Sequence, residues 1–147
     1  MGPRAAEQGH RVTSGDRIVL DTDAASLSFK RQLPASLFAK IVGSQPLITW
    51  VTYGEMTRWP HARSWGNPRR DALDGWLRNI TALPGTSGVA RKWGEIVAYA
   101  DRRGRPRPVN DSWIAAACLA YDLPLATLNV ADFQDFAEYE GLRVITP

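Results

Sequence analysis

Four short apolar runs, at residues 17–21, 46–51, 125–128 and 142–145, alternate along the chain with helical stretches. No other feature restricts the fold as much. A strand that is followed by a helix and then by a neighbouring strand closes into a sheet most simply when the strands run parallel and the helix crosses one face in a right-handed sense. Strands covered on both faces read as continuous apolar runs, and Arg17-Ile-Val-Leu-Asp21 and Pro46-Leu-Ile-Thr-Trp-Val51 have that character. The expectation is an α/β fold, with an open, mainly parallel sheet covered by helices on both faces.

The helices are expected near residues 24–30, at 34–42, from Thr52 onward, from an Asn67-Pro68 cap through Ile80, and from a Ser87 cap to just before Gly104. The strongest helical signal is Asn110-Asp-Ser-Trp-Ile-Ala-Ala-Ala-Cys-Leu-Ala-Tyr121, with Asn110 as its N-cap and Ile114, Ala117, Cys118 and Tyr121 as its buried stripe. A short helix or turn is expected over 131–139. Residues 1–16 are polar and aperiodic and read as a loosely ordered tail, which leaves a single domain over 17–147. One cysteine excludes a disulfide framework and a multi-thiolate zinc site, and no apolar run reaches the roughly 18 residues of a membrane span. With a start too polar for a signal peptide, the expected location is the cytoplasm, away from any membrane.

The net charge of +3 conceals two unlike segments. Residues 56–109 carry eleven bases against four acids, whereas residues 110–147 carry one base against six acids. A basic middle suits a polyanionic partner, although solvated helix faces would give the same count. Its densest part is Arg102, Arg103, Arg105 and Arg107, the expected substrate-binding residues, in a loop that cannot continue a helix. Asp135, Glu138 and Glu140 are expected to stay solvated.

Ligands of open α/β sheets bind beyond the carboxyl ends of the strands. Four carboxylates are expected there: Asp21 closing the first strand, Glu55 just past the second, Asp111 at the start of the helix that feeds the third, and Asp132 just past the third. Structural alternatives exist for three of them. Thr52-x-x-Glu55 fits a capping box, Asp111 complements a helix dipole, and Asp132 caps a helix. Asp21 has no such alternative in the sequence. Carboxylates converging from separate segments repel one another unless a divalent cation joins them, and all-oxygen donors favour Mg²⁺ or Mn²⁺ over zinc. Such centres hydrolyse phosphate esters.

Ile18-Val-Leu-Asp-Thr-Asp-Ala24, Thr49-Trp-Val-Thr-Tyr-Gly-Glu-Met56, Asn110-Asp-Ser-Trp-Ile-Ala-Ala-Ala117 and Leu123-Pro-Leu-Ala-Thr-Leu-Asn-Val-Ala-Asp-Phe133, in this order, resemble the PIN-domain ribonucleases, in particular the VapC-type toxins of toxin–antitoxin pairs. The resemblance implies a PIN-like three-layer α/β/α sandwich, metal-binding Asp21, Glu55 and Asp111, and Mg²⁺- or Mn²⁺-dependent RNA cleavage. It also implies inhibition by a cognate antitoxin and a homodimer. Two positions depart from the family pattern. Asp23 stands where asparagine is common, and Asn129 stands where an acid would directly follow the third strand, so Asp132 becomes the substitute. Asp23, Thr22, Asn110, Thr127 and Asn129 are expected to support the site, though capping and strand-end packing would also account for Asp23 and the two threonines. Trp59, Trp65, Trp76 and Trp93 suit base stacking, antitoxin docking or, at helical spacing, core packing. His61 reads as an exposed helix residue and Cys118 as core. Two other functions fit parts of the pattern. One is a catalytically idle domain binding RNA or an antitoxin; the other is an aspartyl-phosphate phosphohydrolase using Asp21-x-Asp23, which lacks the expected lysine, since none follows Lys92.

Overall fold

The computed structural model describes residues 16–147, so the expected tail lies outside the described residues except for Asp16. Asp16 directly precedes the first strand, its carbonyl accepting from the Gln45 N–H at 2.7 Å. Five strands form one all-parallel sheet: β1 (Arg17–Leu20), β2 (Gln45–Thr49), β3 (Thr81–Leu83), β4 (Leu125–Ala126) and β5 (Val144–Ile145), in the order β3-β2-β1-β4-β5. Seven helices connect and cover them: α1 (Thr22–Phe29), α2 (Ala35–Ile41), α3 (Trp50–Ala62), α4 (Asn67–Asn79), α5 (Ser87–Arg102), α6 (Val109–Tyr121) and α7 (Val130–Glu140). This is the expected α/β/α sandwich with a parallel sheet.

The pleat divides the core in two. Val19, Leu47 and Leu125 face α5, α6 and α7, with Ile96, Ile114, Phe133 and Phe136 opposite them. Their strand neighbours Ile18, Leu20, Ile48 and Ala126 face the other way, against Ala24, Leu37, Met56, Leu73 and Leu77. The run from Ala115 to Cys118 is fully buried, because small side chains let α6 approach the sheet closely.

Several local expectations are corrected. β3 has no counterpart in the sequence reading, since three residues give too little periodicity to detect. β2 stops at Thr49, and Trp50 and Val51 enter α3 despite their strand preference, because the Thr49 hydroxyl caps the helix by accepting from the Thr52 N–H at 3.3 Å. Glu55 therefore lies in the second turn, so the capping box that was its structural alternative does not form. Thr86, not Ser87, caps α5, and Gly66 precedes α4 at the cap position. α6 begins after Pro108, which places Asn110 inside the first turn instead of at the cap.

The acidic end is also not uniformly solvated. Asp135 Oδ2 meets Arg103 Nη2 at 2.8 Å and Arg107 Nε at 2.7 Å, and Glu140 Oε1 meets Arg107 Nη1 at 2.6 Å. The Arg103 and Arg107 guanidinium carbons also lie 3.7 Å and 4.1 Å from the ring centres of Tyr139 and Phe136. The arginine loop is thus clasped to α7, and only Glu138 of the three acids is exposed as expected.

Candidate functional site

The chain runs from β1 outward to β2 and β3 on one side and then returns to place β4 on the other side of β1. The reversal opens a crevice beyond the carboxyl ends of β1 and β4, where Asp21 and Thr127 emerge.

Asp21 is 2% exposed and serves as the N-cap of α1, its Oδ1 accepting from the Ala24 N–H at 2.8 Å. Its Oδ2 accepts a short hydrogen bond from the Thr127 hydroxyl. Burial raises its pKa to about 6, against the lowering effect of those two bonds and with the charges of Asp23 and Asp111 adding to the rise. Capping is a structural task for Asp21 that the sequence did not reveal.

Glu55 is half-buried on α3 and is held from α1. The Thr22 hydroxyl donates to Glu55 Oε1 at 3.0 Å. A hydroxyl carries one proton, so the 3.0 Å contact between the Thr22 and Thr52 hydroxyls is donated by Thr52. Asp111 lies half-buried in the first turn of α6, with a pKa raised to about 6 by burial and by the charges of Asp132, Glu55 and Asp23.

The two departures from the family pattern meet in space. Asn129 Nδ2 donates a short bond to Asp23 Oδ2, and the Asn129 N–H donates to Thr127 Oγ1 at 2.9 Å. A hydrogen-bonded chain therefore runs from Asp21 through Thr127 and Asn129 to Asp23. The acid at 23 faces an amide at 129, not a second carboxylate.

These residues line one cleft of about 330 Å³, which gathers Asp21, Thr22, Asp23, Glu55, Asn110, Asp111, Asn129 and Asp132. Thr127 lies buried behind it. Asp132 is exposed at the boundary and also lines an adjoining cleft of about 410 Å³ with Arg105 and Arg107. Arg102 and Arg103 line neither cleft, and the guanidinium groups of Arg103 and Arg107 are committed to α7.

Two residues of the cleft escaped the sequence reading as a pair, Trp59 and Arg63. The signal was available: Glu55, Trp59 and Arg63 are spaced four apart and so lie along one helix face. Among the described residues, Arg63 is the one basic side chain lining this cleft.

The donor chemistry fits a hard divalent cation. Every ligand candidate is an oxygen, four of the lining groups are carboxylates beyond Asp23, and among the described residues no histidine or cysteine joins them. Among the described residues, no three acidic, histidine or cysteine side chains are gathered tightly enough to hold an ion as they stand. The carboxylates share a cleft without forming a closed coordination sphere, so ion binding would draw them inward.

No protein-family model matches the sequence, and no curated protein matches it. Solved structures do match. VapBC2 of Rickettsia felis, bound to a DNA fragment from its promoter, matches with a TM-score of 0.71 at 17% identity, covering 88% of this chain and 98% of the other. DNA-bound VapBC of Salmonella typhimurium gives 0.71 at 22% identity over 89% and 98%. VapBC-5 of Mycobacterium tuberculosis, from the VapBC family of toxin–antitoxin systems, gives 0.67 at 24% identity over 89% and 98%. At these identities the likeness is one of fold, and this chain has the PIN-domain α/β fold of the VapC structures.

Proposed function

We propose that this protein is a Mg²⁺- or Mn²⁺-dependent endoribonuclease that acts as a cytoplasmic toxin and is inhibited by a cognate antitoxin. The observation that carries the reading is the convergence of Asp21, Glu55, Asp111 and Asp132 from four segments at the strand-order reversal, with Asp21 and Asp111 both raised to about 6. Buried Asp21 and half-buried Asp111 are ion-paired with no base among the described residues, and acids so placed call for positive charge from outside. Known structures of this fold from VapBC toxin–antitoxin systems support the antitoxin partner.

In this reading Asp21, Glu55 and Asp111 hold the metal, and Asp132 offers a fourth carboxylate at the rim. When bound, such an ion polarises a water and neutralises phosphoryl oxygens. The chain's own residues do the positioning. Thr127 and the Ala24 N–H fix both oxygens of Asp21, Thr22 fixes one oxygen of Glu55, and Asn129 holds Asp23 to the side. Arg102 and Arg105, both exposed, remain candidates for guiding RNA at a distance.

The test is purified protein with Mg²⁺ or Mn²⁺ on total cellular RNA, with cleaved ends mapped. Cleavage should vanish with EDTA and in Asp21→Asn or Asp111→Asn, and activity retained in both variants would remove this site. A catalytically idle binding domain is the second reading, favoured by the open carboxylate arrangement. It predicts RNA or antitoxin binding with no cleavage under any divalent ion. The aspartyl-phosphate reading is disfavoured, because no lysine follows Lys92 to support an Asp21-x-Asp23 nucleophile and acid.

A further inference from the structure

We propose that Trp59 and Arg63 form a nucleotide-binding platform at the edge of the acidic cleft, which takes one nucleotide of single-stranded RNA with its base against Trp59 and its phosphate on Arg63. The inference rests on the proposed ribonuclease reading, since it names how the same site would hold its substrate.

A cleft lined with carboxylates repels a polyanion, so a nucleic-acid substrate requires a cation placed beside the acids. Three other arginines are occupied. Arg103 and Arg107 are ion-paired to α7, and Arg70 donates to the carbonyls of Trp65 at 2.8 Å and Pro60 at 3.0 Å. Arg63 lines the cleft, is exposed, and makes no ion pair among the described residues. Its guanidinium carbon lies over the half-buried Trp59 ring, 5.3 Å from the ring centre, so the cation and the indole form one stacked surface at the cleft edge. That pairing matches a nucleotide, whose phosphate is read by a planar fork and whose base stacks on an aromatic face. The support is firm: the Arg63 N–H donates to the Trp59 carbonyl at 2.8 Å, and Arg70 anchors the Pro60 carbonyl between them. Glu55, two helical turns before Arg63, aligns the platform with the carboxylates.

The experiment measures affinity of the full chain for a labelled single-stranded RNA in EDTA by anisotropy across a salt series, and KM and kcat with Mn²⁺. Arg63→Gln should weaken binding about tenfold and reduce the log–log salt slope by about 0.7. Arg63→Lys should keep the slope, and Trp59→Leu should weaken binding about tenfold with the slope unchanged. In the kinetic arm the Arg63 and Trp59 variants should raise KM more than they lower kcat. Arg91→Gln, on α5 and outside the cleft, supplies the same charge change as a control. An Arg63→Gln protein that matches Arg91→Gln in affinity, slope and KM overturns the platform while leaving the nuclease reading intact, and points the cleft edge toward a protein partner. A wild-type chain that neither binds nor cleaves RNA overturns both.

Discussion

Replacing Arg107 by methionine should cost this protein more stability than any single surface charge. Arg107 is 6% exposed at its side chain, and it faces Asp135 at 2.7 Å and Glu140 at 2.6 Å, the latter only 10% exposed. Removing one partner of a buried pair leaves the other charge uncompensated, a loss of about 3–5 kcal/mol. At about 3 °C per kcal/mol for a chain of this size, the melting temperature should fall by roughly 9–15 °C. The Arg143–Asp122 pair, at 42% and 95% exposure, is the internal comparison, and Arg143→Gln should cost about 1 kcal/mol or less. Thermal unfolding followed by circular dichroism measures both. The double variant Arg107→Met with Glu140→Met should recover much of the loss, because an apolar pair of similar volume replaces a desolvated ionic one. The pH dependence has a definite sign. Partial burial pushes the Asp135 carboxyl up, but hydrogen bonds from Arg103 and Arg107 outweigh it and leave the pKa below the ordinary 3.8. The stabilisation from Asp135 is therefore present above about pH 4 and lost as pH falls through the lowered value. A single variant within about 3 °C of wild type, or a double variant no better than the single, would refute the reasoning.

Asp111→Asn should raise the melting temperature in EDTA at pH 7.5 by about 3 °C, equivalent to about 1 kcal/mol once solvent screening is allowed for. Its pKa of about 6 lies above the ordinary value, so the penalty is complete above pH 6 and should shrink as pH is lowered to 5. The same variant should lose any Mn²⁺-induced rise in melting temperature; a persisting rise would place the ion elsewhere. Asn129→Asp should destabilise the metal-free protein by about 1 kcal/mol, because it faces Asp23 with a like charge, and exchange of both residues, Asp23→Asn with Asn129→Asp, should restore it. Equal melting temperatures for the single and the exchanged protein would show that the contact carries no energy. Gly85→Ala should cost about 1–3 kcal/mol in urea unfolding, since a Cβ there would meet the Trp50 ring at 3.0–3.3 Å and Trp50 packs edge-on against Trp113.

What the sequence disclosed followed from range. β1 and Asp21 were legible because an apolar strand ending in a carboxylate is a local pattern, and α6 because its buried stripe spans two turns. β3 was not, since Thr81–Leu83 is shorter than one period of evidence. The start of α3 was misread for a different reason: Trp50 and Val51 favour strands, and a single Thr49 hydroxyl overrides both. The clasp joins Arg107 to Glu140 and Arg103 to Asp135 across more than thirty positions, and no local pattern links them. The Asp23–Asn129 contact is intermediate. Each residue was conspicuous as a departure from the family pattern, but only the fold shows that one answers the other.

The way this chain distributes its arginines bears on function. It has fifteen of them, three lysines beside them, and two classes of buried or half-buried acid. Asp135 and Glu140 receive arginines from the adjoining loop, at distances that neutralise them within the fold. Among the described residues Asp21 and Asp111 are ion-paired with none, although the same loop leads directly into α6 and Asp111 follows Arg107 by four residues. Supplying a cation there would have been a short geometric step, and it would have opposed the burial, and the lesser repulsion, that raise both carboxyls to about 6. A fold selected for stability alone would take that step. Leaving Asp21 and Asp111 without an ion pair while α7 is clasped by two guanidinium groups is the arrangement expected where the missing positive charge arrives with a metal ion, because carboxylates neutralised from within would bind such an ion more weakly.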